Sequence, residues 1–280
     1  IDGDGDLDLL GAYEDQLYLY RNAGTSPVSF TIELIESGLP AIYQMAAGDL
    51  NGDGLNDIVA MGGAFPVRWY EQGGPGEPAW TGREIGFSFG RDVDIADIDG
   101  DGDLDVFAPS EGTGPAIWWE NDGASPPSWG FNQISTVPQE FFRAYCRDVD
   151  GDADVDLVTL SLTGGNLTYF INDGSPDPLF DEYIIASELT AGWAMAVGDI
   201  AGDGAPEFIT GSLGGDRIDW HSRRFVTNLS QNTVHNQIAD AVALAFPGDQ
   251  ILADSAHFDE DCAPVVDLTG EPIELISTGN

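Results

Sequence analysis

A nine-residue acidic loop recurs along this chain at nearly constant spacing, and that recurrence narrows the folds open to it. The clearest copy, Asp97–Asp105, reads Asp-Ile-Asp-Gly-Asp-Gly-Asp-Leu-Asp. Carboxylates fall at positions one, three, five and nine (Asp97, Asp99, Asp101, Asp105), and the backbone carbonyl of Asp103 falls at position seven. A hard cation such as Ca²⁺ takes six to eight oxygens, and a short loop wraps it by alternating ligands with turn residues. Gly102 supplies the left-handed backbone that the sharp turn needs. The motif returns as Asp49, Asn51, Asp53, Leu55 and Asp57, with an amide at position three. It returns again as Asp148, Asp150, Asp152, Asp154 and Asp156, where Ala153 replaces the turn glycine. A worn copy keeps Asp199, Asp203 and Glu207 but has Ala201 at position three, and the chain opens inside another copy, Asp2, Asp4, Asp6 and Asp8. The closing acids stand at 8, 57, 105, 156 and 207, in steps of 49, 48, 51 and 51 residues. A period of that length marks a repeat architecture.

Each repeat reads as four short strands separated by Gly, Pro and Asn-Asp-Gly breaks. The second spans 42–47, 57–61, 67–71 and 83–87, and the third 91–95, 105–108, 116–120 and 130–135. The fourth spans 142–146, 156–161, 166–171 and 182–186, and the fifth 193–197, 207–210, 217–221 and 225–228. The third strand carries an aromatic signature: Leu19-Tyr20, Trp69-Tyr70, Trp118-Trp119, Tyr169-Phe170 and Trp220-His221. One aromatic set per repeat reads as filling between radially arranged sheets rather than as a ring of sugar platforms. An EF-hand needs an acid at position twelve and flanking helices. Here position twelve is Ala60 or Ala108 and strands flank the loop, so that motif is excluded.

The loops and the Trp-Tyr-Glu-Asn-like strands resemble the FG-GAP/VCBS repeats of integrin-α-like β-propellers, and more closely the tandem repeats of large secreted bacterial proteins. The resemblance covers residues 1–228. It implies an all-β, calcium-binding propeller of four-stranded blades near 1–40, 41–88, 89–138, 139–190 and 191–228. Three to five Ca²⁺ ions would sit in the hairpin loops named above, with the fifth loop the weakest.

From Thr227 the pattern changes. Val234, Ile238, Ala241, Val242 and Ala245 recur at helical spacing across 233–246. Pro247-Gly248-Asp249 then turns the chain into 250–253, and short strands are expected at 264–268 and 272–276. Residues 229–280 resemble the helix-capped first coil of a pectin-lyase-like parallel β-helix. That resemblance implies an open edge after the first coil.

Charge limits the partners. The 280 residues hold 49 acids against 9 basic residues, a net charge of −40, and every basic residue is arginine. Such a field repels nucleic acid and anionic membrane. It suits a salty, calcium-rich medium, so the expected setting is extracellular, secreted or on a bacterial surface. No apolar run is long enough for a membrane span. Cys146 lies in an apolar strand and reads as a buried thiol, whereas Cys262 follows an acidic turn and reads as exposed. The function these features favour is a non-catalytic adhesion or structural protein that assembles with copies of itself, end to end. The alternatives are a lectin using Trp80 and Trp129, or a piece of a β-helix enzyme acting on polysaccharide through Asp259, Glu260, Asp261 and His257. No Ser/His/Asp set or phosphate loop is present.

Overall fold

Strand follows loop follows strand, and the loops decide how the strands pair. The first blade is β1 (Leu9–Tyr13), β2 (Gln16–Asn22) and β3 (Phe30–Ser37). The second is β4 (Ile42–Gly48), β5 (Asp57–Gly62), β6 (Val67–Gln72) and β7 (Trp80–Gly86). The third is β8 (Asp94–Ala96), β9 (Asp105–Phe107), β10 (Ile117–Asn121) and β11 (Trp129–Gln133). The fourth is β12 (Phe141–Arg147), β13 (Asp156–Ser161), β14 (Leu167–Asn172) and β15 (Phe180–Ala186). The fifth is β16 (Gly192–Gly198), β17 (Glu207–Ser212) and β18 (Arg217–His221). Each blade is an antiparallel meander in chain order. In every complete loop the residue before position one sits opposite position nine: Gly48 pairs with Asp57, Ala96 with Asp105, and Arg147 with Asp156. Loop closure thus sets the register of the hairpin.

The computed structural model describes residues 1–63, 66–74, 79–88, 90–110, 114–135, 140–162, 164–187, 189, 192–200, 202, 206–212, 217–221, 226–228, 233–235, 250–253 and 274–277. The chain divides into two units, Ile1–Ala196 with Ile209–Asp219, and Val197–Phe208 with Trp220–Asn280.

In the first unit the blades stack in sequence order, as in a β-propeller. One apolar cluster joins Leu17 and Leu39 to Ile58, Ala60 and Tyr70; a second joins Val59, Val67 and Trp69 to Val106, Ile117 and Trp119. A third joins Phe107 and Trp118 to Phe141, Leu157 and Phe170. Because neighbours cover both faces of a blade, β5, β13 and β14 are buried at every residue. Such strands read as continuous apolar runs rather than as alternation. Outer strands such as β7, with one face to solvent, carry exposed residues instead. The third-strand aromatics fill the wedges: Trp69, Tyr70, Trp118, Trp119, Tyr169 and Phe170 are all buried. At the corresponding place in the fifth blade Trp220 is 59 % exposed.

The second unit holds a different sheet. β19 (Val226–Asn228) pairs with β20 (Thr233–His235) and with β21 (Gln250–Ala253), and β21 runs parallel to β22 (Glu274–Ser277). Two expectations change here. The strand foreseen at 225–228 as the outer strand of the fifth blade belongs instead to this sheet. The helix foreseen across 233–246 begins as a strand, because Thr233–His235 finds a ladder partner in Val226–Asn228. Helical spacing of a few apolar residues is weak against such pairing, and Thr and Val favour it. Residues 236–249 and 264–268, and Cys262, Asp259, Glu260, Asp261 and His257, lie outside the described residues. No helix occurs among the described residues.

The buried third-strand position gives a direct test. Trp69→Ala should lower unfolding free energy by ~3–5 kcal/mol through loss of burial and a residual cavity. Trp220→Ala, at the equivalent exposed place, should stay within about 0.5 kcal/mol. Urea unfolding of both variants in calcium measures the contrast.

Candidate metal centre

The closing acid of each loop is the best-anchored residue in it. Asp57, Asp105 and Asp156 are fully buried. One oxygen of each accepts the backbone N–H at the end of the third strand: Gln72 to Asp57, Asn121 to Asp105 and Asn172 to Asp156, each at 2.8 Å. The other accepts the N–H of loop position two, from Leu50 at 3.3 Å, Ile98 at 2.9 Å and Val149 at 2.8 Å. Asp8 accepts from Asn22 in the same way, and Glu207 from Ile200. The remaining acids cap turns. Asp97 accepts from Gly102, Asp99 from Asp101, and Asp101 from Asp103. The fourth loop repeats this set, with Asp148, Asp150 and Asp152 accepting from Ala153, Asp152 and Asp154. In the second loop Asp49, Asn51 and Asp53 accept from Gly54, Asp53 and Leu55. Asp2 and Asp4 accept from Asp4 and Asp6. Ala153 takes φ 83°, the left-handed conformation that glycine holds at this position in the neighbouring loops; its Cβ makes that conformation costly.

This folding brings carboxylates together. Asp97, Asp99 and Asp105 place one oxygen each within 4.8 Å of the others, and Asp148, Asp150 and Asp156 do the same. The second loop has Asn51 at position three, whose amide bonds Asp53 and Glu71. In the first loop Arg21 donates to Asp2 at 3.1 Å, so a guanidinium already stands beside that carboxylate. Asp203 lies outside the described residues, while Asp199 accepts from Gly202. The third-strand residue next to position three differs between blades: Arg21, Glu71, Glu120 and Ile171. Glu120 adds negative charge beside Asp99, which, with burial first and Asp101 and Asp97 close by, holds that carboxyl above its ordinary value.

The electrostatics of the bare site are unfavourable to ionised acids. Burial pushes Asp105 up to about 8, Asp156 to about 7 and Asp57 to about 6, against the pull of their backbone hydrogen bonds. Asp99 and Asp101 add to the rise at Asp105, and Asp150 and Asp152 to that at Asp156. One oxygen of Asp97 is buried without a donor. A buried acceptor facing other acids, with oxygen donors only, fits a hard divalent cation. The residues that would hold it are Asp97, Asp99, Asp101, Asp105 and the Asp103 carbonyl, and their counterparts Asp148, Asp150, Asp152, Asp156 and the Asp154 carbonyl. Bound there, a cation supplies positive charge that balances the cluster.

Two features of the site were not foreseen from sequence. Asn121 donates to Leu104 of its own loop and to Leu50 of the loop one blade back; Asn172 does the same to Val155 and Ile98. These amides tie successive loops into one chain of contacts. The signal was an amide at positions 22, 72, 121 and 172, closing each aromatic strand. The second feature is a close approach. A Cβ on Gly123 would lie 2.2 Å from a carboxylate oxygen of Asp103, and one on Gly174 would lie 2.0 Å from that of Asp154. The position-seven side chain therefore packs on the next turn while its carbonyl stays available to the loop.

Residues 1–60 and 148–210 match the family model of the FG-GAP-like repeat. Each matched stretch contains two successive acid loops, so the FG-GAP-like pattern and the loop period coincide. A search of curated proteins finds no match.

The raised carboxyls give a pH dependence of definite sign. Free Asp titrates near 3.9, so between about pH 4 and pH 8 the metal-free fold holds protons that the unfolded chain has released. Stability then falls as pH rises. In EDTA the melting temperature should drop from pH 5 to pH 8, and the gap between calcium and EDTA should widen over the same range. Thermal melts at four pH values measure both.

Proposed function

We propose that this chain is a calcium-stabilised, non-catalytic adhesion or scaffold domain that works outside the cell and associates with copies of itself. The FG-GAP-like repeats and propeller blades are consistent with an adhesion-type domain. The observation that carries the calcium half of the reading is the pair of acid triads, Asp97/Asp99/Asp105 and Asp148/Asp150/Asp156, at the same place in successive blades. Each triad sits in the hairpin that sets its blade's register, so a cation there acts on folding rather than on a substrate. At a calcium concentration a hundredfold above Kd, one site contributes about 2.7 kcal/mol. Extracellular sites with Kd of ~10⁻⁴–10⁻³ M operate in that regime only where calcium is abundant.

Other readings find less support. Trp80 is half-buried and donates to Glu33 of the preceding blade at 2.9 Å, and Trp129 packs edge-on against Trp69 with ring centres 6.4 Å apart. Both rings are partly buried in contacts between blades, which leaves less of each face for a sugar. A groove of about 300 Å³ lies along β4, β8 and β12 and contains Asp92 and Asp94. Both carboxylates are engaged there by backbone donors, Ala144 at 3.1 Å and Cys146 at 2.9 Å. They fasten the inner edge of the fourth blade to the third, and the acid–base work of an enzyme needs groups free to exchange protons with substrate. Cys146 is a buried free thiol whose pKa burial pushes well up, so it is not a nucleophile. No helix among the described residues is long and apolar enough to cross a membrane.

EDTA should lower the melting temperature at pH 7.5 by many degrees, and calcium should restore it. Asp99→Asn with Asp150→Asn should abolish most of that response while the chain still folds. A melt indifferent to EDTA contradicts the reading.

A further inference from the structure

In each of the first four blades a row of three side chains runs from the outer strand to loop position three, and its chemistry changes from blade to blade. The outer members are Glu33, Arg83, Asn132 and Tyr183, which sit opposite Leu19, Trp69, Trp118 and Tyr169 in the ladders. The middle members are Arg21, Glu71, Glu120 and Ile171, two residues further along the third strand, and position three holds Asp2, Asn51, Asp99 and Asp150. In the first blade Arg21 donates to Glu33 at 2.9 Å and to Asp2 at 3.1 Å, so one guanidinium serves both acids. In the second, Arg83 donates to one oxygen of Glu71 at 2.7 Å and Asn51 donates to the other at 3.4 Å. In the third, uncharged Asn132 donates to one oxygen of Glu120 at 3.0 Å, and position three is the acid Asp99, so the row holds two acids and no base. Burial first, and then Asp101, Glu120 and Asp97, hold the Asp99 carboxyl above its ordinary value, with Glu120 bearing on it more than Asp97 does. In the fourth blade the middle member is the buried, uncharged Ile171.

We propose that Glu120, a third-strand residue outside the nine-residue loop, is a further acid of the third-blade cation site, and that its charge makes this loop bind calcium more tightly than the loop of the fourth blade. The inference rests on the calcium reading above and names the residue that grades it. The affinity of an oxygen-ligand site rises with the negative charge around the ion. In the first two blades an arginine of the chain itself supplies positive charge to the row. In the third the row adds a carboxylate beside Asp99, and a cation among the loop acids answers both. The fourth loop is weaker on two counts. It has Ile171 where the third has Glu120, and Ala153 holds the left-handed conformation at φ 83° that Gly102 adopts without a Cβ. As calcium falls, the fourth blade therefore loses its cation before the third.

Amide NMR of the isotope-labelled 280-residue chain, titrated with calcium from a metal-free start, reads the two loops separately. The reporters are the position-six N–H groups, Gly102 donating to Asp97 at 3.0 Å and Ala153 donating to Asp148 at 3.1 Å. The Gly102 signal should reach its midpoint at a calcium concentration ~10-fold below that of Ala153, because one unit charge close to a divalent ion is worth ~10-fold in affinity even under water-like screening. Glu120→Gln should raise the third-loop midpoint by ~10-fold, and Glu120→Arg, which copies the arginine of the first blade, by ~100-fold. Neither should move the Ala153 midpoint. Glu120 is exposed, so both variants should keep the fold, which far-UV circular dichroism checks. Loops that fill together, a fourth loop that fills first, or a Gly102 midpoint indifferent to Glu120 overturns this proposal and leaves the calcium reading standing. Loop signals that never respond to calcium overturn the calcium reading and this proposal with it.

Discussion

One carboxylate per repeat holds three pieces of backbone together. In the third blade Asp105 accepts from the end of the third strand through Asn121 and from the start of the loop through Ile98, while its own backbone begins β9. Asp57 and Asp156 make the same pair of bonds in their blades. A buried carboxylate is costly unless its oxygens are satisfied. Two N–H donors satisfy part of that demand, while burial still pushes Asp105 and Asp156 above the ordinary carboxylate range. A cation beside the other acids would complete the balance. The acid that fixes each hairpin is thus also one that would bind a cation.

From that device the larger architecture follows. Hairpins of fixed register present two apolar faces, and stacking them in sequence order covers both. Between neighbouring blades polar side chains add ties at definite places: Asn121 and Asn172 near the loops, Asp92 and Asp94 along the inner strands, and Arg68 to Glu36 at 3.1 Å near the outside. Half-buried pairs such as the last contribute ~1 kcal/mol or less. The buried amides matter more, since removing one leaves two backbone carbonyls without donors.

The acid loops were legible because their acids lie within nine residues of one another, and the strands beside them because each follows directly from loop or turn. The role of Asn121 was not legible, since its partner Leu50 is 71 residues away and only the stacked structure brings them together. Asp92 and Asp94 were hidden in the same way, by partners 52 residues distant. Ala153 was recognisable as a departure from the turn glycine, and it does take the left-handed conformation. The aromatic strands were correctly assigned to the core in the middle blades, whereas Trp220, at the same place in the fifth, is exposed. After residue 225, helical spacing competed with pairing partners that sequence does not reveal, and Thr233–His235 followed its partner.

The central claim is that these clustered acids wrap a divalent cation in each intact loop. Crystals grown in calcium and measured for anomalous scattering test it most directly. The account predicts a metal peak among Asp97, Asp99, Asp101 and Asp105, and another among Asp148, Asp150, Asp152 and Asp156, each ~2.3–2.6 Å from its oxygen ligands. Ordered loops in the same conformation with only water between the carboxylates would contradict it.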